Sequence, residues 1–298
     1  MLPLALEQFK QSENHQSSIT TAMILAAGRG ERMRPLTDKT PKPMLEVGGK
    51  RLIEWHLHKL VAAGIKRVVI NLHWLGEQIS DYFGDGSQWG LTILYSTESP
   101  VLETAGGIAK ALPLLKTQQA PGFLLVNGDV WSDIDYATLL GLDKHLSESN
   151  QAILAMVDNP EHHPDGDFYF MQGQDALPRF MSQLIPQLSC SVPSPVPSPP
   201  PSPQVSPLNQ QSTAIVDQMS VQNIKYTYSG VGLYHFDLFA SLAQQASKNG
   251  AIPATALGPI LRTAMQNELV TGVYHQGFWS DVGTPERLAA LERYLTQA

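Results

Sequence analysis

Five of the chain's 20 basic residues, Arg29, Arg32, Arg34, Lys39 and Lys42, fall within fourteen positions of a protein whose formal net charge is −7. They share the segment Leu25–Pro43, LAAGRGERMRPLTDKTPKP, with Gly28 and Gly30. Glycine lets the main chain approach an anion closely and aim its N–H groups at it, and the basic side chains concentrate positive potential on the same loop. The chemistry open to such a loop is the holding of a polyanion, a phosphate chain above all. Lys42 stands between Pro41 and Pro43, which restrict the backbone on either side of a lysine that must be aimed. Two common phosphate patterns are excluded. Met33-Arg34-Pro35 stands where a dinucleotide fingerprint needs its third glycine, and no Gly-Lys-Ser/Thr of a P-loop follows.

A carboxylate complements this loop. Asp129, in Asn127-Gly128-Asp129-Val130, comes directly after the apolar run Phe123–Val126. A residue just past the carboxyl end of a buried strand sits where α/β sheets bind ligands, and magnesium takes one or two carboxylates together with phosphate oxygens. Asp133 and Asp135 read as turn and helix-start residues. His162 and His163 have no third ligand at a fitting spacing, so they read as a loop pair and not a metal centre. The tryptophans read as core or rim residues, with Trp131, beside Asp129, the one to test as a stacking platform.

The elements that must position these residues follow from apolar patterning. Short apolar runs at 21–26, 66–72, 91–95 and 123–126 read as buried strands, and 52–63, 77–83 and 104–115 as helices between them, with Gly64 at a helix C-cap. That alternation predicts an α/β fold, a mostly parallel sheet wound on both faces. Strands are expected again at 152–157, 168–171, 226–236 and 270–274. Helices are expected at 238–247, 254–267 and 285–295, the last started by Thr284 as N-cap and Pro285 at N1. Nine of the 22 prolines lie between Pro186 and Pro207, so 183–218 reads as a disordered or polyproline-like insertion. The expected organisation is a disordered extension at 1–20 and one domain at 21–298, interrupted by that insertion.

Composition bounds the rest. With 43% apolar and 16% charged residues the chain supports a sizeable core. The excess of 27 acidic over 20 basic residues sets nucleic-acid binding aside. Cys190, the single cysteine, forms neither an internal disulfide nor a cysteine-based zinc site. No apolar run reaches about 18 residues, and Glu7, Lys10 and Glu13 occupy the stretch a signal peptide needs apolar, so a soluble cytoplasmic protein is expected.

The segment 25–43 resembles the sugar-nucleotide pyrophosphorylases, nucleotidyltransferases with the pattern LAAGxGxRMxPLTxxxPKP, every fixed position of which is present. The similarity continues through VINLHWLGEQI, LETAGGIAKAL, LLVNGDVW, YSGVGLYHF and WSDVGTPERL, and covers about 22–294 apart from the insertion. The resemblance implies a Rossmann-like, GT-A-like fold. It implies an enzyme that joins a nucleoside triphosphate to a sugar 1-phosphate and releases pyrophosphate, with Mg²⁺ as cofactor. Carried over, Ala27, Gly28, Gly30, Glu31 and Arg32 hold the triphosphate, with Arg32 on the leaving pyrophosphate and Lys42 on the reacting phosphates. Glu103, Thr104 and Gly107 belong to the loop that selects the base. Asn127, Asp167 and Gly230 take the sugar phosphate, and Asp129 and Asp281 the metal.

Within the family, DNPEHHPDGDF, VINLHWLGEQI and YFGDGSQWG most resemble the N-acetylmuramate-1-phosphate uridylyltransferases of peptidoglycan recycling, as does the absence of a long C-terminal β-helix domain. The mannose-1-phosphate guanylyltransferases are the nearest rival. The reaction expected on this resemblance joins UTP and N-acetylmuramate 1-phosphate. A non-catalytic sugar-nucleotide-binding regulator is the alternative of another class. The expected partners are small molecules, with monomer and homo-oligomer both open.

Overall fold

A strand buried on two faces needs backbone partners on both edges and apolar side chains above and below. The computed structural model describes residues 5–6, 16–172, 177, 179–181 and 220–297. In chain order these form β1 (Thr21–Leu25), β2 (Glu46–Val47), β3 (Lys50–Arg51), α1 (Leu52–Ala62), β4 (Arg67–Leu72), α2 (Gly76–Phe83), β5 (Thr92–Thr97) and α3 (Glu103–Leu115). There follow β6 (Gly122–Asn127), β7 (Val130–Ser132), α4 (Tyr136–Leu140), β8 (Ala152–Val157), β9 (Phe168–Gln172), β10 (Arg179–Met181) and β11 (Ser220–His235). The chain ends with α5 (Ala240–Asn249), α6 (Leu257–Gln266), β12 (Val270–Tyr274), β13 (Trp279–Asp281) and α7 (Pro285–Gln297).

Nine of the described strands make one sheet in the order β5-β4-β1-β6-β11-β8-β12-β10-β9. Seven point the same way, which bears out the mostly parallel sheet, while β10 and β11 run against their neighbours. β9 also pairs with β11, so that end of the sheet closes on itself. The period of two along each strand feeds two cores. Ala22 and Ile24 of β1 pack with Ile53 and Leu57 of α1, Ile79 of α2 and Leu139 of α4. Met23, between them, packs on the other face with Ile108 of α3, Leu242 of α5 and Leu261 of α6.

A third, smaller core joins the two ends of the chain. Met33, Leu45, Val47 and Leu52 pack with Val282 and Leu291, and Trp55, Phe278 and Tyr294 close around them. Trp131 belongs here: its ring lies 6.0, 5.6 and 5.7 Å from those of Trp55, Phe278 and Tyr294. It is therefore a packing residue and offers no stacking platform. This core sets α7 and the β7–β13 pair beside the basic loop.

Two further expectations change. The helix foreseen at 254–267 starts only at Leu257, because Thr255 is used otherwise. Its carbonyl accepts from the N–H groups of Ala105 and Gly106, and its N–H donates to Leu102, clamping the first turn of α3. The described part of 1–20 is built into the fold and is no disordered extension there. Leu6 and Ile19 are buried in the first core, Ala5 bridges to Tyr274, and Ser17 and Ser18 donate to Asp143. The insertion 183–218 lies outside the described residues. Among the described residues no helix is long and apolar enough to cross a membrane.

Candidate active site

The carboxyl ends of β1, β4, β5 and β6 open into a cleft of about 470 Å³ lined by Ala26–Gly28, Gly30–Arg32, Lys42, Asn71, Glu98, Glu103, Thr104, Asn127, Asp129 and Gly283. Its floor is a polar row laid down by register. Leu25 pairs with Asn71 on one side and Asn127 on the other, so the two asparagines flank the point where β1 gives way to the glycine loop. Asn71 Oδ1 accepts from Ala26 N at 2.7 Å, and its Nδ2 donates to Glu98 Oε1 at 2.7 Å. Glu98 Oε2 accepts from Leu102 N at 2.8 Å. Both side chains are buried, so each hydrogen bond replaces water that neither group can reach. Gly107 makes room for this pair: a Cβ there would stand 3.1 Å from Asn71 Nδ2 and closer still to Glu98.

The loop that follows β1 is held from within. Gly30 has φ +67° and is pressed against Thr37 and Lys42, whose carbons would lie 3.1 and 3.2 Å from a Cβ. Its carbonyl accepts from Thr37 Oγ1 and Met33 N, and Met33 anchors the turn in the third core. Gly28 has open space where a Cβ would be. Of the clustered cations, Arg32 and Lys42 line the cleft. Arg29 lies 4.3 Å over the Trp74 ring, and Arg34 pairs with Asp38 at 2.6 Å. Lys42, buried between its prolines, donates from Nζ to Asp129 Oδ2 at 2.6 Å. This places a lysine and a carboxylate in direct contact across 87 positions of sequence.

Asp281 is brought to Asp129 by the β7–β13 pair, in which Asp281 stands opposite Val130 and Val282 N donates to Asp129 O at 2.8 Å. Arg287 Nη1 lies 2.9 Å from Asp281 Oδ1, and His162 Nε2 lies 3.0 Å from the same oxygen. Gly283 leaves the space that Arg287 and Arg32 share. Among the described residues, Asp129 Oδ1 and Asp281 Oδ2 accept from no side chain. Two carboxylates, one in the turn before β7 and one at the end of β13, each with one oxygen that accepts from no described side chain, suit a hard divalent cation that completes its shell with phosphate oxygens and water. Among the described residues no group of three or more histidine, cysteine or carboxylate side chains is placed to hold a metal unaided.

The remaining foreseen residues divide. Glu103 and Thr104 open α3 at the cleft wall, Glu103 with φ +59°, a strained conformation for a residue with a side chain. Gly230, φ +81°, sits in the bulge of β11 directly against Asn127, where a Cβ would lie 2.7 Å from Nδ2. Asp167 is not at the cleft wall: its carboxylate accepts from Tyr228 N at 2.8 Å and meets His163 Nε2 at 3.1 Å. The two histidines of the loop thus pair separately, with Asp281 and Asp167. Sequence reasoning missed Asn71, Glu98 and Arg287. A pattern could have found the first, since VVIN and FLLVN each carry an apolar run into an asparagine. A largely buried arginine of α7 carries no such mark.

With this geometry in place, comparison with known proteins is informative. A family model described as nucleotidyl transferase matches residues 21–171. The chain is 44% identical over 268 residues to an N-acetylmuramate alpha-1-phosphate uridylyltransferase of Neisseria meningitidis serogroup B, covering 90% of this chain and 94% of that protein. It is 40% identical over 136 residues to a mannose-1-phosphate guanylyltransferase of Mycobacterium tuberculosis, covering 46% of this chain and 36% of that one. A solved UDP-glucose pyrophosphorylase in complex with UDP-glucose has a TM-score of 0.60 at 17% identity and covers 94% of this chain and 99% of its own, a shared fold.

Proposed function

The chain belongs to the nucleotidyl transferase family, and we propose that it joins UTP to N-acetylmuramate 1-phosphate, giving UDP-N-acetylmuramate and pyrophosphate. The observation that carries the chemistry is the Lys42–Asp129 contact at the mouth of a cleft walled by the Gly28–Arg32 loop. The choice of substrates is supported by the relative of that activity, which matches nearly from end to end, whereas the guanylyltransferase relative matches over less than half of the chain.

A phosphate oxygen of the sugar phosphate attacks the α-phosphorus of the triphosphate in line. The bond from that phosphorus to the α,β-bridging oxygen breaks, and the electron pair leaves with pyrophosphate. No covalent bond to the protein is needed, so positioning and charge supply the rate. The exposed amides around Gly28 and Gly30 receive phosphate oxygens, and Arg32 neutralises charge on the departing pyrophosphate. Lys42 exchanges its bond to Asp129 for one to the reacting phosphates, a move of a single ammonium group between two anions. Mg²⁺, held by Asp129 and Asp281, would supply charge neutralisation at those same oxygens. Glu103 and Thr104 stand where the base enters, and Asn127 and Gly230 where the sugar phosphate lies. A reaction that consumes a nucleoside triphosphate supports a cytoplasmic location.

The test is pyrophosphate release with Mg²⁺, crossing UTP, GTP, dTTP and CTP with the 1-phosphates of N-acetylmuramate, mannose, glucose and N-acetylglucosamine. The expected outcome is turnover with UTP and N-acetylmuramate 1-phosphate. Turnover confined to GTP with mannose 1-phosphate keeps the mechanism and discards these substrates. Nucleotide binding without turnover in any combination discards the enzyme reading altogether.

A further inference from the structure

Asp281 meets two side-chain nitrogens at the same oxygen, a hydrogen bond from Arg287 and a close contact with His162. Arg287 Nη1 at 2.9 Å and His162 Nε2 at 3.0 Å converge on Oδ1. A hydrogen bond and a close contact on one oxygen restrict the rotation of a carboxylate and turn its other oxygen to a definite direction, here Oδ2, which accepts from no side chain among the described residues. Arg287 comes from the helix that starts four residues after Asp281, so its approach is local. His162 comes from the loop between β8 and β9, more than a hundred positions earlier, and has no reason of sequence to be there.

That loop is rigid enough to hold it. Asn159 ties its two limbs together, donating from Nδ2 to Pro164 O and to Lys225 O at 3.0 Å each and accepting from Thr227 Oγ1 at 2.9 Å. Gly166, φ +58°, packs so closely on the Asn159 amide that a Cβ there would stand 2.9 Å from Nδ2. His163 N donates to Pro160 O at 2.8 Å, and the His163 ring rests on Asp167, which is itself bonded to Tyr228 N. With its neighbours anchored on both sides, His162 is presented to Asp281 by the loop as a whole.

We infer that His162 is a positioning residue for Asp281: from the β8–β9 loop it holds Oδ1 jointly with Arg287, so that Oδ2 is aimed at a divalent cation. The inference rests on the proposed reading of Asp281 as a cation ligand. It also ties the β8–β9 loop to the carboxylate pair. Partners that orient a metal-binding side chain are worth about tenfold to a hundredfold in metal affinity.

The experiment compares His162→Ala and His162→Gln with the wild type, glutamine keeping a polar side-chain nitrogen near the place of Nε2. Mn²⁺ is titrated into the nucleotide-free protein and free Mn²⁺ read by electron paramagnetic resonance. Turnover is measured in parallel against Mg²⁺ concentration. His162→Ala is expected to weaken Mn²⁺ binding about tenfold and to raise the Mg²⁺ requirement by a similar factor, with kcat at saturating Mg²⁺ within about threefold of wild type. His162→Gln is expected to restore Mn²⁺ affinity to within about threefold. An exposed histidine should leave the thermal midpoint where it was. Unchanged Mn²⁺ affinity in His162→Ala overturns the inference, as does a wild type that takes up no Mn²⁺ or a glutamine variant as weak as the alanine one. Loss of the proposed substrates in the turnover assay, with the Mn²⁺ series as expected, defeats the substrate reading alone.

Discussion

The two walls of the cleft are held together by opposite means. On the phosphate-loop side, Gly30, Met33, Thr37 and Lys42 are fastened to one another within a dozen residues, and Pro41 carries the turn that presents Lys42. On the other side, Asp281 is reached from His162 and Gly230 abuts Asn127, while Asp167, off the cleft wall, holds Tyr228, each contact spanning tens of residues or more. A phosphate loop is thus a local object, its residue types dictated by the backbone path. The carboxylate-and-sugar wall is an assembly, and it inherits its shape from the sheet and from the small core around Trp131. The first wall should break chiefly at its own residues and at the Met33 anchor, the second also from a distance.

The largest effect belongs to a side-chain bond that crosses between the walls, Lys42 to Asp129. Asp129→Asn and Lys42→Ala are each expected to lower kcat about a hundredfold or more, the scale of a lost transition-state contact. Groups that act as a unit are not additive, so the double variant should lose little beyond the worse single one. Near-wild-type kcat in either single variant would break the assigned roles. Full additivity would show that the contact has no part in turnover.

Remote packing is tested at His56. It lies in α1 beneath the β7 strand, wholly buried, with Nδ1 2.9 Å from Tyr136 OH. Burial, helped by the nearby Lys59 ammonium, pushes its pKa from 6.5 down to about 3. The unfolded chain therefore binds a proton between about pH 6.5 and 3 that the folded protein refuses, and stability falls as pH falls through that window. From pH 7 to 4.5 this single group should remove about 2–3 kcal/mol. Denaturant unfolding of wild type and His56→Asn at the two pH values measures it. A variant that loses as much on acidification as the wild type would refute the neutral buried histidine.

What could be read beforehand follows the same division. The glycine loop, Lys42 and the parallel half of the sheet were legible because backbone freedom, proline restriction and apolar runs are properties of adjacent residues. The direction of β11 was not, since a strand buried on both faces shows the same apolar run whichever way it points. The start of α6 was misplaced because Thr255 spends its backbone on another helix. Glu98 and Arg287 escaped for a similar reason. Their environment is made by partners distant in sequence or by a shape that Gly283 leaves open.

The smallest expected effect lies on the sugar side and separates binding from chemistry. Gly230→Ala places a Cβ 2.7 Å from Asn127 Nδ2 in a residue whose φ is +81°, so Asn127 must shift or the bulge of β11 must relax. Lys42, Asp129 and the glycine loop are untouched by that change. The strain at positive φ should lower stability by roughly 1 kcal/mol. KM for the sugar phosphate should rise about tenfold, worth about 1.4 kcal/mol, while KM for the nucleotide stays within about twofold. Steady-state kinetics with each substrate varied in turn decides it. A rise confined to the nucleotide KM would move Gly230 and Asn127 to the other half of the cleft and reverse the division between the two walls.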